Sequence, residues 1–203
     1  METLTKILQD NISPKEAHTI LIDGNTRFIQ ELKAQRNLKD QVIQTSNGQY
    51  PFAVILSCID SRVPVELVFD QGIGDVFSVR VAGNIVNEDV LGSMEYACKV
   101  AGSKIVIVMG HTKCGAVNAA CNKVELGNIT PLLDKIQPAV KAVEANTSKM
   151  DDTSIEEVAV LNVELSIDRI RKESPILSEL EKEGAIDIVG AIYDVSTGQV
   201  NFM

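Results

Sequence analysis

The amino-acid sequence predicts an α/β fold: a mostly parallel central sheet with an antiparallel edge strand, flanked by helices. Three features point to it. Short runs rich in β-branched residues alternate with segments of helical spacing. The segments between successive runs are helix-length, as crossovers between parallel neighbours require. The last run leads into Thr197-Gly198, a turn that suits only an antiparallel return. A chain of 203 residues suits a single domain over 1–203, with an N-terminal helical arm over about residues 1–35.

In chain order, Ser13-Pro14-Lys15-Glu16 offers an N-cap, a proline in the first turn and a glutamate at N3. Apolar residues then recur helically through Ile20, Leu21, Phe28, Ile29 and Leu32. The polar stretch Gln35–Gln49, closing near Asn47-Gly48, reads as a connection. Phe52–Leu56 is a short unbroken apolar run, the mark of a strand buried on both faces. Asp75–Val81 alternates as a second strand, and Ser93–Val100 has helical spacing that stops near Gly102. Lys104–Met109 is a third strand. Helical segments follow over about 115–125, 130–145 and 154–173, and Ala185–Tyr193 forms a fourth strand before the terminal one.

Composition excludes several classes of function. With 19 Lys+Arg against 28 Asp+Glu the formal charge is −9, the wrong sign for a nucleic-acid binder. Apolar runs are strand-sized, far short of the roughly 20 residues of a membrane-spanning helix. Met1–Lys6 has neither the basic start nor the apolar stretch of a signal peptide. A cytoplasmic location is the expectation, and there four cysteines point to metal or catalytic work before disulfides.

In such a sheet, ligands bind beyond the carboxyl ends of the strands. Two strands end in candidate ligands: the first runs into Cys58-Ile59-Asp60-Ser61-Arg62, the third into Gly110-His111-Thr112-Lys113-Cys114. Adjacent parallel strands bring both ends to one edge, so Cys58, His111 and Cys114 can form a Cys2His set suited to zinc. Asp60 is available for the fourth position. Cys98 and Cys121 read as packing residues, and His18 as a surface or interface histidine. Two glycine patterns carry no nucleotide: Ala116-Val117 follow Gly110-x4-Gly115 where a phosphate loop needs Lys and Ser/Thr, and Gly72-x-Gly74 lacks its third glycine at Phe77.

Cys58-x-Asp60-Ser61-Arg62 followed by His111-x-x-Cys114 resembles the beta-class carbonic anhydrase family. The likeness extends through Gly24-Asn25-x-Arg27-Phe28, Arg80-x-Ala82-Gly83-Asn84 and Gly92-Ser93-x-Glu95-Tyr96. It departs at Ile59, where relatives commonly carry Ser, a position that is not a ligand. The resemblance implies one Zn2+ per chain and reversible hydration of CO2 to bicarbonate and a proton, by attack of zinc-bound hydroxide. It assigns Arg62 to holding Asp60 away from the metal. By the same matching Gln49 is similar to the residue whose amide reaches substrate, and Phe77 and Tyr96 to the pocket walls. Gly115 can offer its backbone N–H to an anion. The resemblance also implies a homodimer or dimer of dimers, with Gln49, Phe77 and Tyr96 acting from the neighbouring chain. Ile55 stands where some relatives carry a Trp of a second, inhibitory bicarbonate site, so that site is expected to be missing in its usual form. The rival readings are a carbonyl sulfide or carbon disulfide hydrolase on the same zinc site, and a non-catalytic zinc module with four closed ligands.

Overall fold

The computed structural model describes residues 3–147 and 149–203. Its strands are β1 (Ala53–Ser57), β2 (Val76–Arg80), β3 (Ile105–His111), β4 (Asp187–Tyr193) and β5 (Val200–Phe202). Among the described residues they form one sheet in the order β2-β1-β3-β4-β5. The first three pairings are parallel and β4–β5 is antiparallel.

The sheet is covered on both faces because its central strands are apolar on both. Val54, Leu56, Val106 and Val108 pack on one side with residues of α5 (Glu88–Glu95), α9 (Asp152–Glu173) and α10 (Pro175–Lys182). Ala53, Ile55, Ile105, Ile107 and Met109 face the other side, against α2 (Pro14–Ile29) and α4 (Val65–Val68). A third cluster joins Cys58 and Cys114 to α6 (Gly115–Cys121), α7 (Ile129–Leu133), α8 (Gln137–Glu144) and the first half of α9. Fully burying one such aliphatic side chain is worth about 1.5–3 kcal/mol. This third cluster, beyond the carboxyl end of the sheet, encloses the two thiols.

The N-terminal arm is two helices, α1 (Lys6–Asn11) and α2, and the arm's residues 1 and 2 lie outside the described residues. The capping box at Ser13 and Glu16 forms, with Pro14 in the first turn. The helix stops at Ile29, because Glu31 turns left-handed (φ 57°). Residues 35–49 are not a plain connection: they contain α3 (Leu38–Thr45), started by Asn37, whose side chain accepts the Asp40 N–H. Leu38, Val42 and Ile43 point outward and the helix instead buries Gln41, so no core-facing apolar stripe announces it. The helix expected from Ser93 begins at Glu88, capped by Asn87, and ends in a π turn over Tyr96–Val100. The helix expected over 115–125 closes at Cys121, ahead of left-handed Lys123 (φ 54°). That expected over 130–145 splits into α7 and α8, the second begun around Pro138, which has no N–H to continue the ladder. His18 is half-buried and packs edge-to-face with Phe202 at 4.5 Å within this chain.

Candidate metal centre

Register explains why the two motifs meet. Ser57 is aligned with Met109 on one side and Arg80 on the other, so β1 ends as β3 runs two residues further to His111. Gly110 lets β3 pass close to its neighbours here: a Cβ there would lie 2.9 Å from Val163 Cγ2 and 3.0 Å from Ile192 Cδ1 and would force those side chains to shift. The turn after His111 passes through Lys113 in the left-handed region (φ 54°) and delivers Cys114 to the start of α6. A non-glycine residue holds that conformation at a cost of about 1–2 kcal/mol.

The Sγ atoms of Cys58 and Cys114 and a ring nitrogen of His111 lie within 4.8 Å of one another, all on buried residues. His111 Nδ1 meets the Thr112 carbonyl at 2.9 Å. Donation of Nδ1–H to that oxygen leaves the Nε2 lone pair facing the thiols. Nε2 is buried and has no hydrogen-bond partner in the protein, which a native fold tolerates where something else occupies the position. Donors around a tetrahedral zinc stand about 3.5–4 Å apart, so the set fits that ion with little adjustment.

The thiols are electrostatically linked. Cys114 S–H donates to Cys58 sulfur, and this contact pulls the Cys58 pKa down against the cost of burial. It pushes Cys114 up, and burial adds to the rise. Burial works most strongly on the His111 pKa, lowering it, but the Cys58 sulfur, the Thr112 carbonyl and Asp60 together leave the imidazole raised. A dication entering the set displaces these protons, so its affinity must fall as pH falls. Cys98 is different: burial alone pushes its thiol up to about 12, and it packs in the core, as Cys121 does beside α7 and α8.

Asp60 is taken by Arg62 in a two-pronged contact, Nε donating to Oδ1 at 2.9 Å and Nη2 to Oδ2 at 2.7 Å. The Arg62 backbone N–H adds a third bond to Oδ1 at 2.9 Å. The guanidinium holds the carboxyl well below the usual carboxylate range. Asp60 Oδ2 lies 3.9 Å from His111 Nε2, at the margin of the three donors and turned to Arg62.

Arg80, to which the sequence assigns no role of its own, pins this loop. Its Nε donates to the Cys58 carbonyl at 3.0 Å and its Nη2 to the Asp60 carbonyl at 2.6 Å. Gly83 donates its N–H to Cys58 sulfur at 3.4 Å, and Asn162 Nδ2 holds the Gly83 carbonyl at 2.9 Å. Gly83 is left-handed (φ 66°), and a Cβ there would come within 2.6 Å of Ile136. Arg80 and Gly83 were within reach of sequence reasoning through their shared motif, but Asn162, 79 residues from Gly83, had no such signal.

The expected pocket residues fall in two places. Gly115 lines a cavity of about 560 Å3 with Cys114, Lys113 and Glu156. Phe77 and Tyr96, with ring centroids 6.2 Å apart, line a different cavity of about 720 Å3 along β2, which includes Arg80. Gln49 is exposed. Within one chain Gly115 borders the Cys2His set, and Phe77 and Tyr96 line a separate cavity.

A buried Cys2His set at the carboxyl edge of a parallel sheet, beside a guanidinium-bound aspartate, defines the protein as an α/β fold with a candidate metal centre. Residues 53–200 match the Pro_CA family, carbonic anhydrase. "Carbonic anhydrase 2" of Mycobacterium tuberculosis is 34% identical over 196 residues, covering 93% of this chain and 92% of that protein. Among solved structures, the beta-carbonic anhydrase CcaA aligns with a TM-score of 0.76 at 26% identity, over 91% of this chain and 94% of that one. The beta-carbonic anhydrase CafA of Aspergillus fumigatus aligns at 0.75 and 28%, over 81% of each. The chain belongs to the carbonic anhydrase family, in its beta class, and is an enzyme of that kind. No helix among the described residues is long and apolar enough to cross a membrane.

Proposed function

We propose that this chain hydrates CO2 reversibly to bicarbonate and a proton at one zinc ion held by Cys58, His111 and Cys114. The observation that carries this reading is the buried donor set with the orphaned His111 Nε2 beside an aspartate already engaged by Arg62. When bound, zinc supplies the Lewis acidity that brings a water's pKa from about 15.7 toward about 7. Two thiolates donate more charge than imidazoles, which places the activity optimum on the alkaline side.

The protein's own groups do the rest. Asp60, kept ionised by Arg62, accepts the hydrogen of the attacking oxygen and so aims its lone pair at the carbon of CO2. Arg62 keeps the carboxylate from becoming a fourth ligand, which speaks against a closed non-catalytic site. Gly115 N–H, at the start of α6, donates to the oxygen that gains charge. Gln49, Phe77 and Tyr96 complete the pocket from a second chain of a homodimer. Exposed apolar residues on the arm, Ile7 (74%) and Leu32 (63%), support such an assembly. All four cysteines are free thiols, which suits the cytoplasm.

Zinc analysis with stopped-flow CO2 hydration tests the proposal. Wild type is expected to carry one zinc per chain and turn over CO2. Cys58→Ser loses both, and Cys98→Ala keeps both. Full zinc in Cys58→Ser overturns the ligand set. Turnover of carbonyl sulfide without CO2 hydration, measured in parallel, overturns the substrate.

A further inference from the structure

Arg62 has a second acceptor besides Asp60. Its Nη2 reaches the Lys113 carbonyl at 3.3 Å, and its side chain is otherwise half-exposed. The direction of that carbonyl is set by the left-handed backbone at Lys113 (φ 54°), a conformation lysine rarely adopts without outside restraint. The neighbouring residue is tied to the sheet: Thr112 donates its N–H to the Tyr193 carbonyl and accepts the Val195 N–H on Oγ1. Lys113 is held from elsewhere. Glu156 on α9, 43 residues away in sequence, accepts the Lys113 N–H on Oε1 at 2.7 Å.

We infer that Glu156 is a positioning residue for the Asp60–Arg62 pair, acting through the Lys113 peptide. Glu156 fixes the N–H end of the residue, the left-handed turn carries that constraint to its carbonyl, and the carbonyl docks Arg62 in the plane that forks Asp60. Glu156 lines the same cavity as Cys114 and Gly115, and the hydrogen bond it makes there goes to the Lys113 backbone. Its task needs an acceptor oxygen and no charge, so a glutamine amide oxygen performs it equally well. The inference rests on the proposed role of the pair.

The test compares Glu156→Ala, Glu156→Gln, Arg62→Ala and the double variant Arg62→Ala/Glu156→Ala in the zinc-loaded protein. Zinc content, kcat and KM are measured, together with the exchange rate of the Arg62 Nε–H signal by NMR. Glu156→Ala is expected to keep its zinc, lose about tenfold in kcat with KM within about twofold, and lose protection of Arg62 Nε–H. Glu156→Gln keeps all of these near wild type. In the double variant, kcat falls no further than in Arg62→Ala alone, since both changes disable one device. A protected Arg62 Nε–H in Glu156→Ala overturns the inference. Additive losses in the double variant, or loss of zinc from Glu156→Ala, overturn it too, by showing that Glu156 serves the ligand turn. Full turnover in Arg62→Ala removes the proposed role of the pair itself, and the Nε–H signal then still decides whether Glu156 positions Arg62.

Discussion

Asp60 and Asp75 are both aspartates near an arginine, yet opposite forces dominate them. At Asp60 the Arg62 fork outweighs burial and the carboxyl is held down. At Asp75, 7% exposed, burial outweighs both the Gly72 N–H and the charge of Arg36, and the carboxyl is raised. A carboxyl raised above its unfolded value of about 3.9 contributes stability that is fully present below that pH. The contribution is lost as pH rises through the folded value, so ionised Asp75 destabilises the fold at neutral pH. Asparagine copies the neutral acid and can still accept the Gly72 N–H, which Asp75 Oδ2 takes at 2.7 Å. Asp75→Asn is therefore expected to raise the urea midpoint at pH 7.5, and the gain should shrink at pH 4. A midpoint below wild type at pH 7.5 would show that the charge of Arg36 prevails over burial.

Helix α9 reaches both ligand-bearing segments from one side. Glu156 takes the Lys113 N–H, and two turns later Asn162 takes the Gly83 carbonyl behind Cys58. Its apolar inward residues, Val158, Ala159, Val163, Ile167 and Ile170, pack in the core clusters. Asn162 is 3% exposed, so Asn162→Ala leaves a carbonyl without its donor at a cost of about 1–3 kcal/mol. For a chain of this size that lowers Tm by several degrees, and an unchanged melting curve would refute the estimate. The clustering of Cys58, His111 and Cys114 was legible in the sequence because each sits at or just beyond a strand end, where β-branched runs fix the element and parallel pairing fixes the edge. Glu156 and Asn162 were not legible. Each works through one side-chain contact to a distant backbone atom, and nothing in the local pattern distinguishes it from any other polar residue on a helix. Helix α3 escaped for a related reason, since its apolar residues face away from the core of this chain.

At the scale of the molecule, the sheet has unequal edges. Among the described residues both outer strands have a single neighbour, but β5 is three residues long, whereas β2 is five and leaves Phe77 half-buried beside Tyr96, 55% exposed. An open edge strand bordered by aromatic side chains is a liability unless something covers it. Helix α3 adds Val42 and Ile43, 54% and 64% exposed, to the uncovered apolar surface. In the proposed homodimer a second copy over β2 would cover both, and it would bring Phe77 and Tyr96, which line a separate cavity within one chain, to the partner's Cys2His set. Subunit mixing tests this directly. Cys58→Ser lacks a metal site but keeps its aromatic wall, and Phe77→Ala has the reverse defect. Random pairing after mild dissociation gives half heterodimers, each with one intact composite site. Activity should then rise above that of either parent, to about a quarter of wild type. If Phe77 serves the site of its own chain, no heterodimer contains an intact site, and the mixture stays at the average of the two parents.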